Sequence, residues 1–228
     1  MLSRQLMDYL CGLLDRERAC NPLLELAERG ALAREQMAEY LYNTAYIALN
    51  TQIHVELGFF KADAENQKEL AEFFREKKRE EAGHAQWAFQ DLARLQGERG
   101  GKARFRVAEP LIELLELVQR ELDANPASYL IYSLFMESLN TRLGPIFLRA
   151  LTEKCPLSEE ELSMLVHHVE LDSGHVEEDC RAIDLMSAQG ANLKLDDACR
   201  FLDALTERFM RFTCSIAEES RRDVAPAC

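Results

Sequence analysis

Positive charge is scarce in this chain. Its 228 residues carry 27 Lys and Arg against 40 Asp and Glu, a formal charge of −13. That balance argues against nucleic acid as a partner, because neutralising phosphates takes clustered Lys and Arg. Long apolar runs are also missing. The stretch from Tyr129 to Met136 falls far short of a bilayer span and is interrupted by Ser133, so no membrane segment is expected. The first residues mix Arg4, Asp8 and Asp15 among apolar ones, which fits neither a signal nor a transit peptide, and a cytoplasmic location is expected. Seven cysteines are present, none of them in a Cys-x-x-Cys pair. The odd count and the spacing suggest neither a disulfide framework nor a zinc ribbon. Most should be buried reduced thiols, with Cys228 the one expected to react.

Strand-like alternation is missing too, while helical periodicity runs almost throughout. With 47% hydrophobic and 29% charged residues, the chain reads as one soluble all-α domain over 1–228. Helices are expected at about 3–18, 22–28, 32–60, 65–96, 110–122, 126–143, 145–152, 159–188 and 195–221. The punctuation agrees. Asn125 before Pro126 is a cap followed by proline at the first helical position, and Ser158 with Glu161 is a capping box. Gly190 and Asn192 form a stop, and Gly97, Gly100 and Gly101 mark the clearest loop.

Histidine is rare and concentrated: four of the five fall in two short motifs. The first is Glu80-Glu81-Ala82-Gly83-His84. The second runs from His167 and His168 through Asp172, Ser173 and Gly174 to His175. Both end in a carboxylate, a small residue, glycine and histidine. On a helix, positions i and i+3 lie roughly 60° apart on one face, so Glu81 with His84, and Asp172 with His175, can reach a common metal ion. Carboxylate bundles that bind two irons use such pairs on two helices. His168, about 20° from His175 around its helix, joins the second set. The mid-helix glycines suggest close approach of a neighbouring helix, since each costs roughly 1 kcal/mol against alanine. Glu80 competes with Glu81 by register.

A bundle site also needs carboxylates from two further helices. Glu137 stands in a strongly apolar segment, where a charge is costly unless coordinated or paired; its plainer alternative is an ion pair with a buried arginine. Glu56 follows Ala45, Leu49 and Ile53 along one helical face. The expected ligand set is Glu56, Glu81, His84, Glu137, His168, Asp172 and His175, on helices at about 36–60, 65–96, 126–143 and 159–188. Carboxylates suit hard iron ions, while imidazoles leave open positions for O₂.

With this pattern the chain resembles the heme-oxygenase-like di-iron oxidases and oxygenases, also called iron-containing redox enzymes. An early Glu-x-x-His, a lone Glu137 and a late His-x-x-x-Asp-x-x-His carry the resemblance. It implies a helical fold like heme oxygenase without haem, two iron ions (Fe2+/Fe3+) and O₂ as co-substrate. It also implies a small-molecule substrate, a carboxylate or amine derived from an amino acid, altered by N-oxygenation or oxidative C–C cleavage or decarboxylation. Some members place a carboxylate ligand seven residues before the first histidine, where this chain has Lys77. Lys77 is therefore a candidate for anchoring a substrate carboxylate or moving a proton, against the plainer reading of a snorkelling surface lysine. Two alternatives stand beside this function: a ferritin-like iron-handling protein, and a metal-free relative acting in cofactor biosynthesis. A homodimer is expected from base rates.

Overall fold

The ends of the helices show why the chain folds where it does. Pro22 opens its helix, and the Asn21 side chain accepts from the amides of Leu23 and Leu24, each at 3.0 Å. The Asn125 side chain accepts from the Ala127 amide at 3.1 Å. The Ser158–Glu161 capping box forms, with the Ser158 amide donating to Glu161 Oε2 at 3.0 Å. Gly190 takes φ +86°, two residues past the end of its helix.

The structure, a computed structural model, describes residues 1–97 and 105–219, apart from the side chains of residues 171–173 and 219. Among the described residues the regular elements are α1 (Leu2–Cys20), α2 (Pro22–Glu28), α3 (Arg34–Ala64), α4 (Lys68–Glu80), α5 (His84–Gln96), α6 (Glu109–Ala124), α7 (Tyr129–Lys154), α8 (Ser163–Ala188) and α9 (Leu195–Glu219), with short 3₁₀ turns at Pro126–Ser128 and Glu159–Leu162. No strand occurs among them, and the six described cysteines are free thiols. Cys228, Gly100, Gly101 and residues 220–221 lie outside the described residues.

Packing of α7 along α8, α3 against α4 and α5, and α9 against α1 and α6 builds the bundle. Its core is continuous. Leu10 and Leu14 from α1, Leu114 and Leu122 from α6, Leu130 and Phe135 from α7, and Leu202 and Phe212 from α9 are all fully buried. No helix among the described residues is long and apolar enough to cross a membrane.

Two expected boundaries are corrected. The helix expected over 65–96 is two helices. Glu81 ends α4, and Gly83, at φ +98°, turns the chain into α5. The helices expected at 126–143 and 145–152 are instead one, α7, with Pro145 inside it. Proline costs α7 a backbone hydrogen bond, but packing on α8 holds the helix together. Gly144 permits that contact, since a Cβ there would lie 2.9 Å from Val169 Cγ2.

Candidate metal centre

The turn between α4 and α5 places the first carboxylate–imidazole pair. Glu81 caps α4 and His84 is the first residue of α5; the Gln52 side-chain amide on α3 donates to the Glu81 carbonyl at 3.3 Å and ties the turn down. The glycine serves this turn and not a close helix approach, because a Cβ on Gly83 would meet nothing within 4 Å. The same is true of Gly174, so the expectation that both glycines admit a neighbouring helix is corrected. The buried His84 Nδ1 lies 3.0 Å from Glu81 Oε2 without the alignment of a hydrogen bond. The His84 ring stacks on Trp87 at 4.7 Å, and its centroid is 5.0 Å from that of His168.

His168 is positioned from below. The fully buried Asp91 of α5 receives the Met164 amide at 2.7 Å and the Ser163 hydroxyl at 2.6 Å, capping the start of α8. One turn on, His168 Nδ1 meets the Met164 carbonyl at 2.8 Å. A carbonyl can only accept, so Nδ1 carries the proton and Nε2 keeps its lone pair, the arrangement that prepares a histidine to ligate metal. Burial lowers the His168 pKa, with the Met164 carbonyl opposing, which favours the neutral ring that metals require.

A second pair comes from α7 and α8. His175 Nδ1 lies 3.5 Å from Glu137 Oε2, and this contact pushes the His175 imidazole up to about 9. The other Glu137 oxygen, Oε1, accepts from Lys77 Nζ at 3.2 Å. Lys77 is 1% exposed, so it is no snorkelling surface residue. Its ammonium also lies 3.2 Å from Glu80 Oε2 and 3.6 Å from Asp179 Oδ1. Burial disfavours that charge, but Asp179, Glu137 and Glu80 outweigh it and keep the lysine protonated. Burial likewise opposes ionisation of Glu137, yet His175 and Lys77 hold its carboxyl below the usual range. Asp179, completely buried, is pushed by burial up to about 7, with Lys77 opposing. The buried partner of Glu137 is thus a lysine and not the arginine considered from sequence.

Beside these groups lies a cavity of about 70 Å³. Glu81, His84, Glu137 and His168 reach it, and Tyr129, Tyr132, Met136 and Phe209 supply much of its apolar wall. Lys77 is not on that wall, and with its ammonium committed to three carboxylates it is not placed to anchor a substrate.

The structure does not bring Glu56 to this centre. Its side chain is half exposed and accepts from Lys78 at 2.9 Å. The stripe used to place it is the outer face of α3: Leu49 is 41% and Ile53 is 54% exposed. The inner face is Thr44, Ala48 and Thr51, which line the cavity and offer no carboxylate. The side chain of Asp172 lies outside the described residues. Asp179 is the buried acid that sequence reading missed, although it stands four residues after His175 and seven after Asp172, the helical spacing that found the others.

Among the described residues, no three His, Cys, Asp or Glu side chains converge as a ready-made metal site. The donors do stand in pairs with the spacing an ion requires. Two ligands at about 2.1 Å from one ion and at right angles have donor atoms about 3 Å apart, and Glu81 Oε2 and His84 Nδ1 meet that condition. With the unpartnered His84 nitrogen and the prepared Nε2 of His168, the residues present fit a transition-metal ion on the Glu81–His84–His168 side.

No family model and no curated protein matches this chain. Solved structures do. A domain of unknown function from Shewanella denitrificans, described as having a heme oxygenase-like fold, is similar with a TM-score of 0.73 at 18% identity, covering 96% of this chain and 92% of that one. A TenA homolog from Pseudomonas syringae pv. tomato matches with a TM-score of 0.71 at 14% identity, over 97% and 93% of the two chains. A CADD-like protein of unknown function from Nostoc punctiforme matches with a TM-score of 0.66 at 13% identity, over 97% and 100%. At such identities the likeness speaks for architecture alone: the chain has an all-α, heme oxygenase-like fold.

Proposed function

We propose that this chain is a non-haem iron oxidoreductase that uses O₂ to oxidise a small carboxylate or amine. The observation that carries the reading is the buried imidazole pair. His168 has its Nδ1 spent on the Met164 carbonyl, which puts the ring's lone pair on Nε2, beside a His84 whose Nδ1 has no hydrogen bond. Structural histidines in a core are normally satisfied, whereas these are oriented and left open. His84, His168 and Glu81 would hold the metal, with Asp172 a further candidate from its place between His168 and His175. Iron bound there would supply the redox change and a position for O₂.

The remaining residues bind, orient and exclude. The apolar wall keeps bulk water from the reacting groups, which strengthens every polar contact inside. Tyr132 Oη lies beside Thr51 without a well-formed hydrogen bond, fully buried on the cavity wall, and is available to donate to a substrate oxygen. Burial raises its pKa, so it donates and does not ionise. A cavity of about 70 Å³ has room for a small substrate.

The test is anaerobic loading with Fe(II) followed by O₂. The expected result is O₂ uptake with a transient visible chromophore, lost in His84→Ala and His168→Ala while the helical signal persists. No uptake with any small carboxylate or amine would remove the oxidoreductase reading. One observation favours a second, metal-free reading: Lys77 already supplies a cation to the buried carboxylates, so part of the cluster is balanced without metal. A cofactor-biosynthesis protein of this kind fits the structural neighbours equally well. Protein from iron-replete cells that neither holds nor takes up iron would select it.

A further inference from the structure

The centre expected from sequence holds two ions, and the arrangement around Lys77 disagrees with that number. Two ions sharing one pocket need a bridging carboxylate and a balancing set of anionic ligands on each side. Glu137 is the acid placed to bridge. Its Oε2 faces His175 at 3.5 Å, but its Oε1 is taken by Lys77 Nζ at 3.2 Å. Asp179 and Glu80, the other acids on that side, face the same ammonium at 3.6 and 3.2 Å. Glu56, which would have completed the ligands from α3, points to solvent with Lys78.

We infer that the site takes a single metal ion per chain, on the Glu81–His84–His168 side, because the Lys77 ammonium stands in the place of the second cation. The inference rests on the metal reading above and adds its stoichiometry and the residue that sets it. The ammonium belongs to a residue that is 1% exposed, so little water surrounds its charge. A divalent ion brought within a few ångströms of it is repelled twice as strongly as a monovalent one, in surroundings that screen poorly. The lysine is also held by contacts from three helices: Glu80 on its own α4, Glu137 on α7 and Asp179 on α8. Displacing it would strand buried acids on two of those neighbours at once. Lys77 is here a positioning and charge-setting residue, with no contact to the cavity where substrate would sit.

The experiment is an anaerobic Mn(II) titration of the full chain, with bound metal counted per chain and the bound ions read by electron paramagnetic resonance. For the wild type the expected result is about one Mn(II) per chain with the six-line spectrum of an isolated ion. For Lys77→Glu, which exchanges the ammonium for a fourth acid, about two per chain with a spin-coupled spectrum are expected. Two coupled ions in the wild type would overturn the inference and leave the metal reading standing. No binding in either protein would overturn both. A Lys77→Glu protein that folds yet still binds one ion would show that something other than the ammonium excludes the second. Should that variant fail to fold, the wild-type count and Lys77→Gln decide, with a gain of a second ion in Lys77→Gln expected and its absence contradictory.

Discussion

Buried charge is where single residues of this chain matter most. Lys77 lies among Glu80, Glu137 and Asp179 with almost no contact with water. Removing one partner of such a cluster leaves acids buried without compensation, a loss of about 3–5 kcal/mol. Lys77→Met in chelator-treated protein is therefore expected to lower the unfolding free energy from urea denaturation by that much, and a change under about 1 kcal/mol would show the lysine to be dispensable. Glu17 offers a cleaner titration. It is 1% exposed, with one oxygen accepting from the Asn21 side chain at 2.7 Å and the other without a partner. Burial pushes its pKa up to about 7 from 4.5, with Asn21 opposing. The folded chain then holds a proton that the unfolded chain has already released. Stability from this group is complete below pH 4.5 and is lost as pH rises through about 7. Glu17→Gln should be more stable than wild type at pH 8, by on the order of 2 kcal/mol, and the two should converge near pH 4. Parallel denaturation profiles would contradict this account. His54 slopes the other way. Burial lowers it to about 4, so its contribution is lost as pH falls from 6.5, and only the difference between variant and wild type isolates Glu17.

At the scale of the helix, glycine separates what spacing reveals from what it conceals. The two glycines matched by motif, Gly83 and Gly174, meet nothing that a Cβ would strike, whereas Gly58 lies where a Cβ would run into the Phe74 ring and lets α4 pack on α3. Gly174→Ala, inside α8, should stabilise by up to about 1 kcal/mol. Gly58→Ala should destabilise by about 1–3 kcal/mol through overpacking. Thermal unfolding decides, and a reversal of either sign would overturn the packing described here. This contrast also shows what was legible. Helix content, the caps at Asn125 and Ser158 and the inward Glu137 depend on local pattern and were readable. The α4–α5 break was not, because Gly83 inside a helical period looks the same whether it is helical or at φ +98°. Glu56 misled because α3 carries apolar residues on both faces, so Leu49 and Ile53 look like core but stand 41% and 54% exposed. Lys77 and Asp179 share the spacing of the motif residues, but only the packing of α4 against α8 shows that they meet across the bundle.

Over the whole molecule, one feature organises the site: of two carboxylate–imidazole pairs, Glu81 with His84 and Glu137 with His175, the first lines a small cavity with both members and the second with Glu137 alone, and only the second pair has an ammonium beside it. The fold brings four helical segments together for this, and the similar solved structures show the architecture to be a recurring one. The asymmetry between the pairs is this chain's own. The central claim is that His84 and His168 form an open metal-binding face. Anaerobic calorimetric titration with Fe(II) tests it directly in wild type, His84→Ala and His168→Ala, with circular dichroism confirming that each variant is folded. The account predicts saturable binding by the wild type and at least about a tenfold loss of affinity in each variant, the order of loss expected when a metal site is disturbed. Equal affinity in all three, or no uptake by the wild type, would contradict it.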